Sequence, residues 1–205
     1  FEFCLRRAER VFAQNRSDCE SLRANLDIEP VFIPNGHRLR RGTPQEKRHI
    51  LWVGRTAEFK HPERFVELAR AFPEERFVMI CRRATGDANY ERFREKAEAV
   101  ANLEFHREVE FARIGEFFAR AKVFVNTSDA EGFANTFIQA AAADTCILTW
   151  AVNPDHFLTE YQCGLACHGD AEKLQQGLRF VLEGDRHVDL GRNARRYVEE
   201  HHDIS

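Results

Sequence analysis

Short apolar runs alternate with longer segments of helical periodicity along almost the whole chain. The runs are bounded by polar, glycine or proline positions, which is typical of buried strands. They lie at residues 11–13, 31–33, 50–53, 77–80, 103–105, 123–125, 146–148 and 164–166. Strands that alternate with helices predict an α/β fold, in which a doubly wound parallel sheet carries helices on both faces.

The segments between the runs have apolar residues at helical spacing. The residues from Ser17 to Glu20 have the pattern of a capping box and predict a helix that starts there and continues to about Leu26. Pro62 suits the first turn of another helix, whose apolar stripe includes Phe65 and Leu68. Further helical patterns lie at 1–8, 90–100, 114–120, 135–143, 171–182 and 188–200. Ligands of such folds bind outside the carboxyl ends of the strands, so the loops that follow strands are the candidates for chemistry.

A polar stretch rich in arginine, glycine and proline divides the chain. It predicts a linker at 37–47, which follows the tail end of a first domain with an interdomain segment, 1–36, and precedes a second domain, 48–205. Arg38, Arg40 and Arg41 could meet phosphates, but we favour a solvated linker face. Because the chain opens inside a helical pattern and ends without a closing feature, we expect it to be a piece of a longer protein.

Composition narrows the classes of partner. The chain has 205 residues, of which 43% are hydrophobic and 31% charged, as in a soluble globular domain. Its net charge of −3 gives no general attraction to nucleic acid or to an anionic membrane. No basic stripe accompanies the 18 phenylalanines, so nucleic acid is not an expected partner. No apolar stretch in the sequence is long enough to span a bilayer.

The six cysteines lack the regular spacing of a secreted disulfide scaffold, so we expect a reduced, cytoplasmic protein. For the full-length protein, a peripheral location at the inner face of the membrane stays open. Cys163, Cys167 and His168 have no second Cys/His cluster to complete a metal site, and no metal is expected.

The first loop with candidate chemistry follows the strand at 50–53. Gly54 lets backbone approach a ligand closely, and Arg55 and Lys60 place two cations at the rim of the sheet. Only five of the 30 basic residues are lysines, so Lys60 stands out from its background. Two cations could neutralise a diphosphate leaving group without a metal. A surface loop with an arginine–glutamate pair is the alternative.

The second loop lies between the strand at 123–125 and the helix at 135–143. Glu131, Gly132 and Phe133 form its turn. A helix N-terminus opened by glycine binds anions through its free N–H groups, and a carboxylate beside it can bind hydroxyls. Phosphate at one point and hydroxyls at another describe a nucleotide sugar. The alternative is an acidic turn that caps a helix, but both loops lie at carboxyl ends of strands in one predicted sheet.

Taken together, these motifs resemble the carboxy-terminal domain of a family 4 glycosyltransferase of the GT-B fold. The resemblance rests on Val53-Gly54-Arg55 with Lys60, on Glu131-Gly132-Phe133, and on the position of Gln139. The segment Ile33-Pro34-Asn35-Gly36 is similar to the interdomain stretch of those enzymes. The resemblance implies that the predicted sheet is the Rossmann-like half of a GT-B fold.

The resemblance also implies a role for each motif residue. Arg55 and Lys60 would hold the donor diphosphate, and Glu131 would contact the donor sugar; these three are the expected catalytic residues. Donor-binding residues other than these would be Gly54, Val109 in the loop that recognises the base, Gly132, Phe133, Asn135, Thr136 and Gln139. The donor is a substrate, and no cofactor is expected.

Two positions depart from the pattern of the family. Gln139 stands where the family has a glutamate that holds the ribose hydroxyls, and an amide lacks the charge that strengthens such hydrogen bonds. Asp144 stands where a glycine is expected after the helix, although aspartate can adopt the left-handed conformation at some cost.

The function implied is transfer of a sugar from a nucleotide diphosphate to an acceptor, with retention and without a metal. A glycan, a lipid or a small molecule could be the acceptor, bound by an amino-terminal domain that this chain lacks. The absence of a DxD pair argues for metal-independent chemistry. The sequence also has no dinucleotide fingerprint, no P-loop and no G-x-S-x-G motif. A degenerate, non-catalytic module that binds nucleotide sugars is the alternative.

Overall fold

The computed structural model of the chain describes residues 2–39 and 45–205. Arg40 and Arg41 of the arginine cluster in the predicted linker lie outside the described residues. The predicted boundaries at residues 36 and 47 stay predictions.

Six strands form one parallel sheet, and two more form a separate parallel pair. The pair consists of β1 (Phe12–Ala13) and β2 (Val31–Phe32). The large sheet consists of β3 (His49–Arg55), β4 (Phe77–Arg82), β5 (Leu103–His106), β6 (Ala121–Asn126), β7 (Cys146–Thr149) and β8 (Gly164–Ala166). Every predicted strand is present. Five of them, β3 to β7, are one to three residues longer than predicted, β1 and β2 are each one residue shorter, and β8 has the predicted bounds.

The order of strands in the large sheet is β5-β4-β3-β6-β7-β8. The chain therefore runs outward from β3 in one direction, returns to the other side of β3, and continues outward through β6. This is the strand order of a doubly wound dinucleotide-type fold, and the reversal between β3 and β6 is its switch point. A crevice forms at such a point because the loops that follow the two strands leave in opposite directions.

Nine helices are present in the described part of the chain. They are α1 (Glu2–Arg7), α2 (Arg16–Leu26), α3 (Pro62–Ala71), α4 (Tyr90–Glu98), α5 (Phe111–Ala119), α6 (Asn135–Ala142), α7 (Phe157–Glu160), α8 (Ala171–Leu182) and α9 (Arg186–His201). None of the helices described has both the length and the apolar character needed to cross a membrane.

The helices cover both faces of the large sheet, as the alternating pattern predicts. Residues of α3, α4 and α8 pack on one face, where the stripe of α3 contributes Phe65 and Leu68. Residues of α5, α6, α7 and α9 pack on the other face. Cys167 lies in the first cluster and Cys163 in the second, so the sheet separates their side chains.

The start of α2 corrects one prediction. The helix begins at Arg16, and its N-cap is Asn15, whose side-chain oxygen accepts a hydrogen bond from the N–H of Asp18 at 2.7 Å. The capping box predicted to start at Ser17 is therefore wrong. The first-turn N–H groups of Arg16 and Ser17 instead donate to the carboxylate of Asp155, at 2.8 and 3.0 Å. A distant carboxylate thus adds to the cap that Asn15 supplies, and the local sequence could not indicate this second contact.

The short helix α7 and the 3₁₀ turn before it were not predicted. Asp155 and His156 within this segment have φ values of 53° and 56°, in the left-handed region. Two successive left-handed residues interrupt the apolar spacing by which a helix is recognised.

Candidate functional site

The candidate site lies at the switch point, where the loops after β3 and β6 meet. Three hydrogen bonds close to the strand ends join β3 and its loop to the residues after β6. The indole N–H of Trp52 donates to Oγ1 of Thr127 at 2.9 Å, and that hydroxyl donates to the carbonyl oxygen of Lys60 at 2.6 Å. The N–H of Asp129 donates to the carbonyl oxygen of Phe59 at 2.9 Å. The two loops therefore form one structural unit.

Lys60 and Glu131 form an ion pair across this junction, between Nζ and Oε1. The two side chains are only 17% and 12% exposed. Ser128 Oγ also donates to Oε1 at 2.8 Å, and Asn126 Nδ2 lies 3.5 Å from the same oxygen. Three donors therefore fix one oxygen of the carboxylate, so its orientation is set before any ligand binds. An ion pair with so little exposure is screened by water much less than a surface pair.

Gly54 is required by this arrangement. A Cβ atom there would lie 2.8 Å from the ring of Trp52 and 3.3 Å from Cδ of Lys60. The missing side chain makes room for the indole and for the aliphatic stem of the lysine, which crosses the end of β3 on its way to Glu131. The glycine thus has a packing role in addition to the close backbone approach that the sequence suggests.

A second set of charged groups braces the same two loops. Asp129 accepts from His61 Nε2 at 2.6 Å and from Arg64 Nη1 at 2.7 Å. Arg64 also donates to the carbonyl oxygen of Thr127 at 2.9 Å, and its guanidinium lies 4.0 Å from the ring centre of Trp150. The hydrogen bond from Arg64, and after it that from His61, lowers the pKa of the Asp129 carboxyl. The ionised form of Asp129, which accepts both hydrogen bonds, is therefore favoured.

Phe133 offers only its backbone to a ligand. Its side chain is 3% exposed and packs against the rings of Phe137, Phe157 and His202, with ring centres 4.6 to 6.1 Å apart. Its carbonyl oxygen accepts from Asn35 Nδ2 at 2.8 Å. Gly132, just before it, is exposed. The buried ring anchors the turn that carries Glu131.

The start of α6 faces the end of this turn. Its N-cap is Ala134, which has no side-chain acceptor, so the first-turn N–H groups receive no cap from that residue. Asn135 is exposed and Thr136 is half-buried. Gln139 is half-buried one turn later, on the same side of the helix as Thr136. An uncapped first turn of this kind binds anions.

Arg55 and Val109 form no ion pair or hydrogen bond with Lys60 or Glu131 in the part of the chain that the structure describes. Arg55 is the exposed last residue of β3, beside Arg82 on β4, and within residues 2–39 and 45–205 it forms no ion pair. Val109 is half-buried in the loop between β5 and α5 and packs against the core. Lys60 and Glu131 are in contact, and Gly54 makes room for the stem of Lys60. Within residues 2–39 and 45–205, no hydrogen bond or ion pair joins Gln139 to them.

Sequence reasoning missed the residues that hold Glu131 and its loop. Asn126, Thr127 and Ser128 are polar, yet they are at most 5% exposed at the end of an apolar strand. Buried polar side chains are satisfied by hydrogen bonds, so this run after β6 was the signal that could have indicated them. His61, Arg64 and Asp129 gave no comparable signal.

Comparison with known proteins identifies the family of this chain. The sequence model described as glycosyl transferases group 1 matches residues 37–197. This chain belongs to the glycosyl transferases group 1 family. Among curated proteins, no sequence matches it.

Solved glycosyltransferase structures share the fold of this chain. Sucrose-phosphate synthase from Thermosynechococcus elongatus superposes with a TM-score of 0.81 at 19% identity, over 97% of this chain and 55% of that protein. A mutant of S. aureus TarM, in a complex that contains UDP, gives 0.78 at 15% identity, over 97% and 42%. Trehalose-6-phosphate synthase gives 0.74 at 13% identity, over 99% and 60%.

These likenesses identify the sheet and its helices as the Rossmann-like half of a GT-B fold. At such low identity they establish the fold alone. The chain spans about half the length of the solved proteins that it matches.

Proposed function

We propose that this chain is the donor-binding, carboxy-terminal half of a family 4 glycosyltransferase. It would bind a nucleotide-diphosphate sugar at the switch point and transfer the sugar with retention and without a metal. The observation that carries the proposal is the Lys60–Glu131 ion pair, which joins the loops after β3 and β6 beside the uncapped first turn of α6.

The diphosphate has two sources of positive charge within reach. Lys60 uses one of its three ammonium protons on Glu131, so two remain for phosphate oxygens. The N–H groups at the start of α6 and the dipole of that helix supply the second source. We assign Arg55 to the outer side of the diphosphate, since its exposed guanidinium can move toward a ligand.

Glu131 is assigned to the donor sugar. Ser128, Asn126 and Lys60 all meet its Oε1 atom, so Oε2 is the atom proposed to accept hydrogen bonds from sugar hydroxyls. A carboxylate that is already oriented loses little freedom when the sugar binds. The exposed backbone of Gly132 can approach the sugar closely.

The bond that breaks joins the anomeric carbon to the diphosphate, and its electron pair stays with the leaving oxygen. Positive charge develops on the anomeric carbon, an acceptor oxygen forms the new bond there, and the proton of that oxygen passes to the departing diphosphate. Groups already placed where the negative charge develops stabilise this transition state. Lys60, Arg55 and the first turn of α6 would serve the leaving group without a metal.

Recognition of the nucleoside is assigned to Gln139 and Val109. Gln139 would donate to or accept from the ribose hydroxyls, one helical turn beyond Thr136. Val109 would contact the base from the loop after β5. The first-turn backbone at Asn135 and Thr136 would bind phosphate or sugar oxygens.

Two of the similar structures support the choice of donor and of stereochemistry. The TarM structure contains UDP, and the study of trehalose-6-phosphate synthase concerns glycosyl transfer with retention. By analogy we propose a nucleoside diphosphate and a retaining reaction for this chain. The acceptor, whether glycan, lipid or small molecule, would bind to a preceding domain. A cytoplasmic location is part of the same proposal.

The test is a titration of the chain with UDP, GDP, ADP and their common sugar conjugates, followed by ligand-observed NMR. We expect one nucleotide family to bind and the double variant Lys60→Ala/Glu131→Ala to lose that binding. Glu95→Ala/Lys96→Ala, which removes an exposed pair of the same residue types on α4, should bind as the wild type does. No binding by any nucleotide, or equal binding by both double variants, would contradict the proposal. Binding without turnover by the full-length protein would favour the non-catalytic module.

A further inference from the structure

Two segments that are far apart in sequence contact the turn that carries Glu131. These segments, 35–37 and 202–204, run side by side as a short parallel bridge that pairs His37 with Asp203. The N–H of His37 donates to the carbonyl oxygen of His202 at 2.8 Å, and the N–H of Ile204 donates to that of His37 at 3.2 Å. We call this pair of segments the crossing bridge.

Asn35 connects the crossing bridge to the turn. Its Nδ2 atom donates to the carbonyl oxygen of Phe133 at 2.8 Å, and its Oδ1 atom accepts from Gln14 Nε2 at 2.7 Å. Both ends of the side-chain amide are therefore used, which fixes its orientation. Because Phe133 lies two residues after Glu131, a shift of Asn35 is passed directly to the turn.

His202 holds the same phenylalanine through its ring. The two ring centres lie 4.6 Å apart, and His202 is buried. Its Nδ1 atom lies 2.7 Å from the carbonyl oxygen of Asn35, so Nδ1 carries the proton and donates it. Burial lowers the pKa of the imidazole and so favours its neutral form, in which Nδ1 carries the single proton. Asn35 and His202 are thus joined by a hydrogen bond, and both contact Phe133.

We propose that Asn35 and His202 are positioning residues that hold the Glu131–Phe133 turn in its donor-binding geometry. Through them, the crossing bridge sets the affinity of the donor site. The inference rests on the proposed function for its ligand, but the coupling between the bridge and the turn is a property of the free chain.

Two variants separate the contacts that are involved. Asn35→Asp keeps an acceptor for Gln14 and removes the N–H that Phe133 requires. His202→Asn retains a donor near the place of Nδ1 and removes the ring that packs on Phe133. Asn193→Asp is the matched control, because Asn193 Nδ2 also donates to a backbone carbonyl, that of Gln162 at 3.1 Å.

The first measurement needs no ligand. The ¹³C resonances of Lys60 Cε and Glu131 Cδ report the ion pair. Neither residue takes part in the contacts of Phe133 that the variants change. We expect both to shift in Asn35→Asp and in His202→Asn and to stay in place in Asn193→Asp. Unchanged resonances in the two test variants would overturn the proposal, whether or not the chain binds any nucleotide.

The second measurement is the dissociation constant for the nucleotide diphosphate that binds the wild type. Loss of one hydrogen bond behind the turn should weaken binding by Asn35→Asp about fivefold, equivalent to about 1 kcal/mol. The midpoint of urea unfolding, measured alongside, shows whether the variant is folded at the temperature of the titration. A folded Asn35→Asp chain with wild-type affinity would contradict the role in positioning.

Discussion

At the scale of single residues, Glu131 is held by more groups than a surface carboxylate usually has. Lys60, Ser128 and Asn126 meet one of its oxygens in a place where the ion pair is less than one-fifth exposed. Removing one partner of such a pair leaves the other charge poorly solvated, which costs more than loss of a surface salt bridge. We therefore expect Lys60 and Glu131 to influence stability as well as binding.

The buried side chain of His49 predicts that the stability of the folded chain depends on pH. It is buried at the start of β3, and its Nε2 lies 3.0 Å from the carbonyl oxygen of Phe117. Burial lowers its pKa to about 4 in the folded chain, against an unfolded value of about 6.5. Between these values the unfolded chain binds a proton that the folded chain does not, so stability falls as the pH falls from 6.5 to 4.

The measurement is urea unfolding at pH 7, 5.5 and 4.5 for the wild type and for His49→Gln. We expect the variant to lose less stability across this range, because glutamine does not titrate and can still donate to Phe117. Burial also lowers the pKa values of His187 and His202, so the free energy of unfolding still depends on pH in both proteins. If the free energy of unfolding changed equally with pH in the two proteins, His49 would not contribute to the pH dependence.

The sequence indicated Lys60 and Glu131 because they stand out in loops that follow strands. It could not indicate that they form an ion pair, since 71 residues separate them. The supporting contacts of Ser128, Asn126 and Asn35 were missed for the same reason. Hydrogen bonds between loops depend on the order of strands, which no local pattern contains.

At the scale of elements, α6 combines an uncapped N-terminus with a C-terminus that carries two cations. Lys47 Nζ donates to the carbonyl oxygen of Ala143 at 2.7 Å, and Arg195 donates to that of Ala142. Cations there complement the helix dipole. Asp144 ends the helix with a φ of 51°, so the residue that replaces the expected glycine does adopt the left-handed conformation.

Two helical glycines give a matched pair of substitutions. A Cβ atom on Gly191 of α9 would lie 2.3 Å from the carbonyl oxygen of Asp144, whereas one on Gly115 of α5 would meet nothing within 4 Å. Gly191→Ala should destabilise the chain by about 2 kcal/mol, since backbone atoms must move. Gly115→Ala should stabilise it by about 0.5–1 kcal/mol through helix propensity.

Urea unfolding of the two glycine variants beside the wild type checks this pair. Opposite signs are expected from the same chemical change, because only the space around the two sites differs. If both substitutions stabilised the chain, the close packing of α9 against the end of α6 would be wrong.

Prediction of elements succeeded where periodicity was long and failed where the backbone left regular conformations. The helix at 171–182 was predicted with the bounds that the structure gives. The segment around Asp155 was missed, because left-handed residues break the spacing. The N-cap of α2 was misplaced by two residues, because the pattern from Ser17 to Glu20 resembles a capping box although Asn15 caps the first turn.

At the scale of the whole molecule, alternation of strands and helices was enough to predict the fold. It was not enough to predict the strand order, and that order decides which loops meet. The reversal between β3 and β6 brings the loops of Lys60 and Glu131 together, whereas a different order would have left them apart. The crossing bridge then links this junction to the segment after β2 and to the residues that follow α9.

The proposed donor site is tested most directly by comparing a ligand that has only the nucleoside diphosphate with one that also has the sugar. Isothermal titration calorimetry would measure the dissociation constants of a nucleoside diphosphate and of its sugar conjugate for the wild type, Lys60→Met and Glu131→Gln. Lys96→Met, which removes an exposed lysine on α4, is the control.

We predict that Lys60→Met weakens both ligands about tenfold or more, since it removes a charge from the diphosphate site. Glu131→Gln should weaken the sugar conjugate and leave the nucleoside diphosphate nearly unchanged, because Glu131 is assigned to the sugar alone. If Lys60→Met bound both ligands as tightly as Lys96→Met does, the switch point between β3 and β6 would not be the donor site.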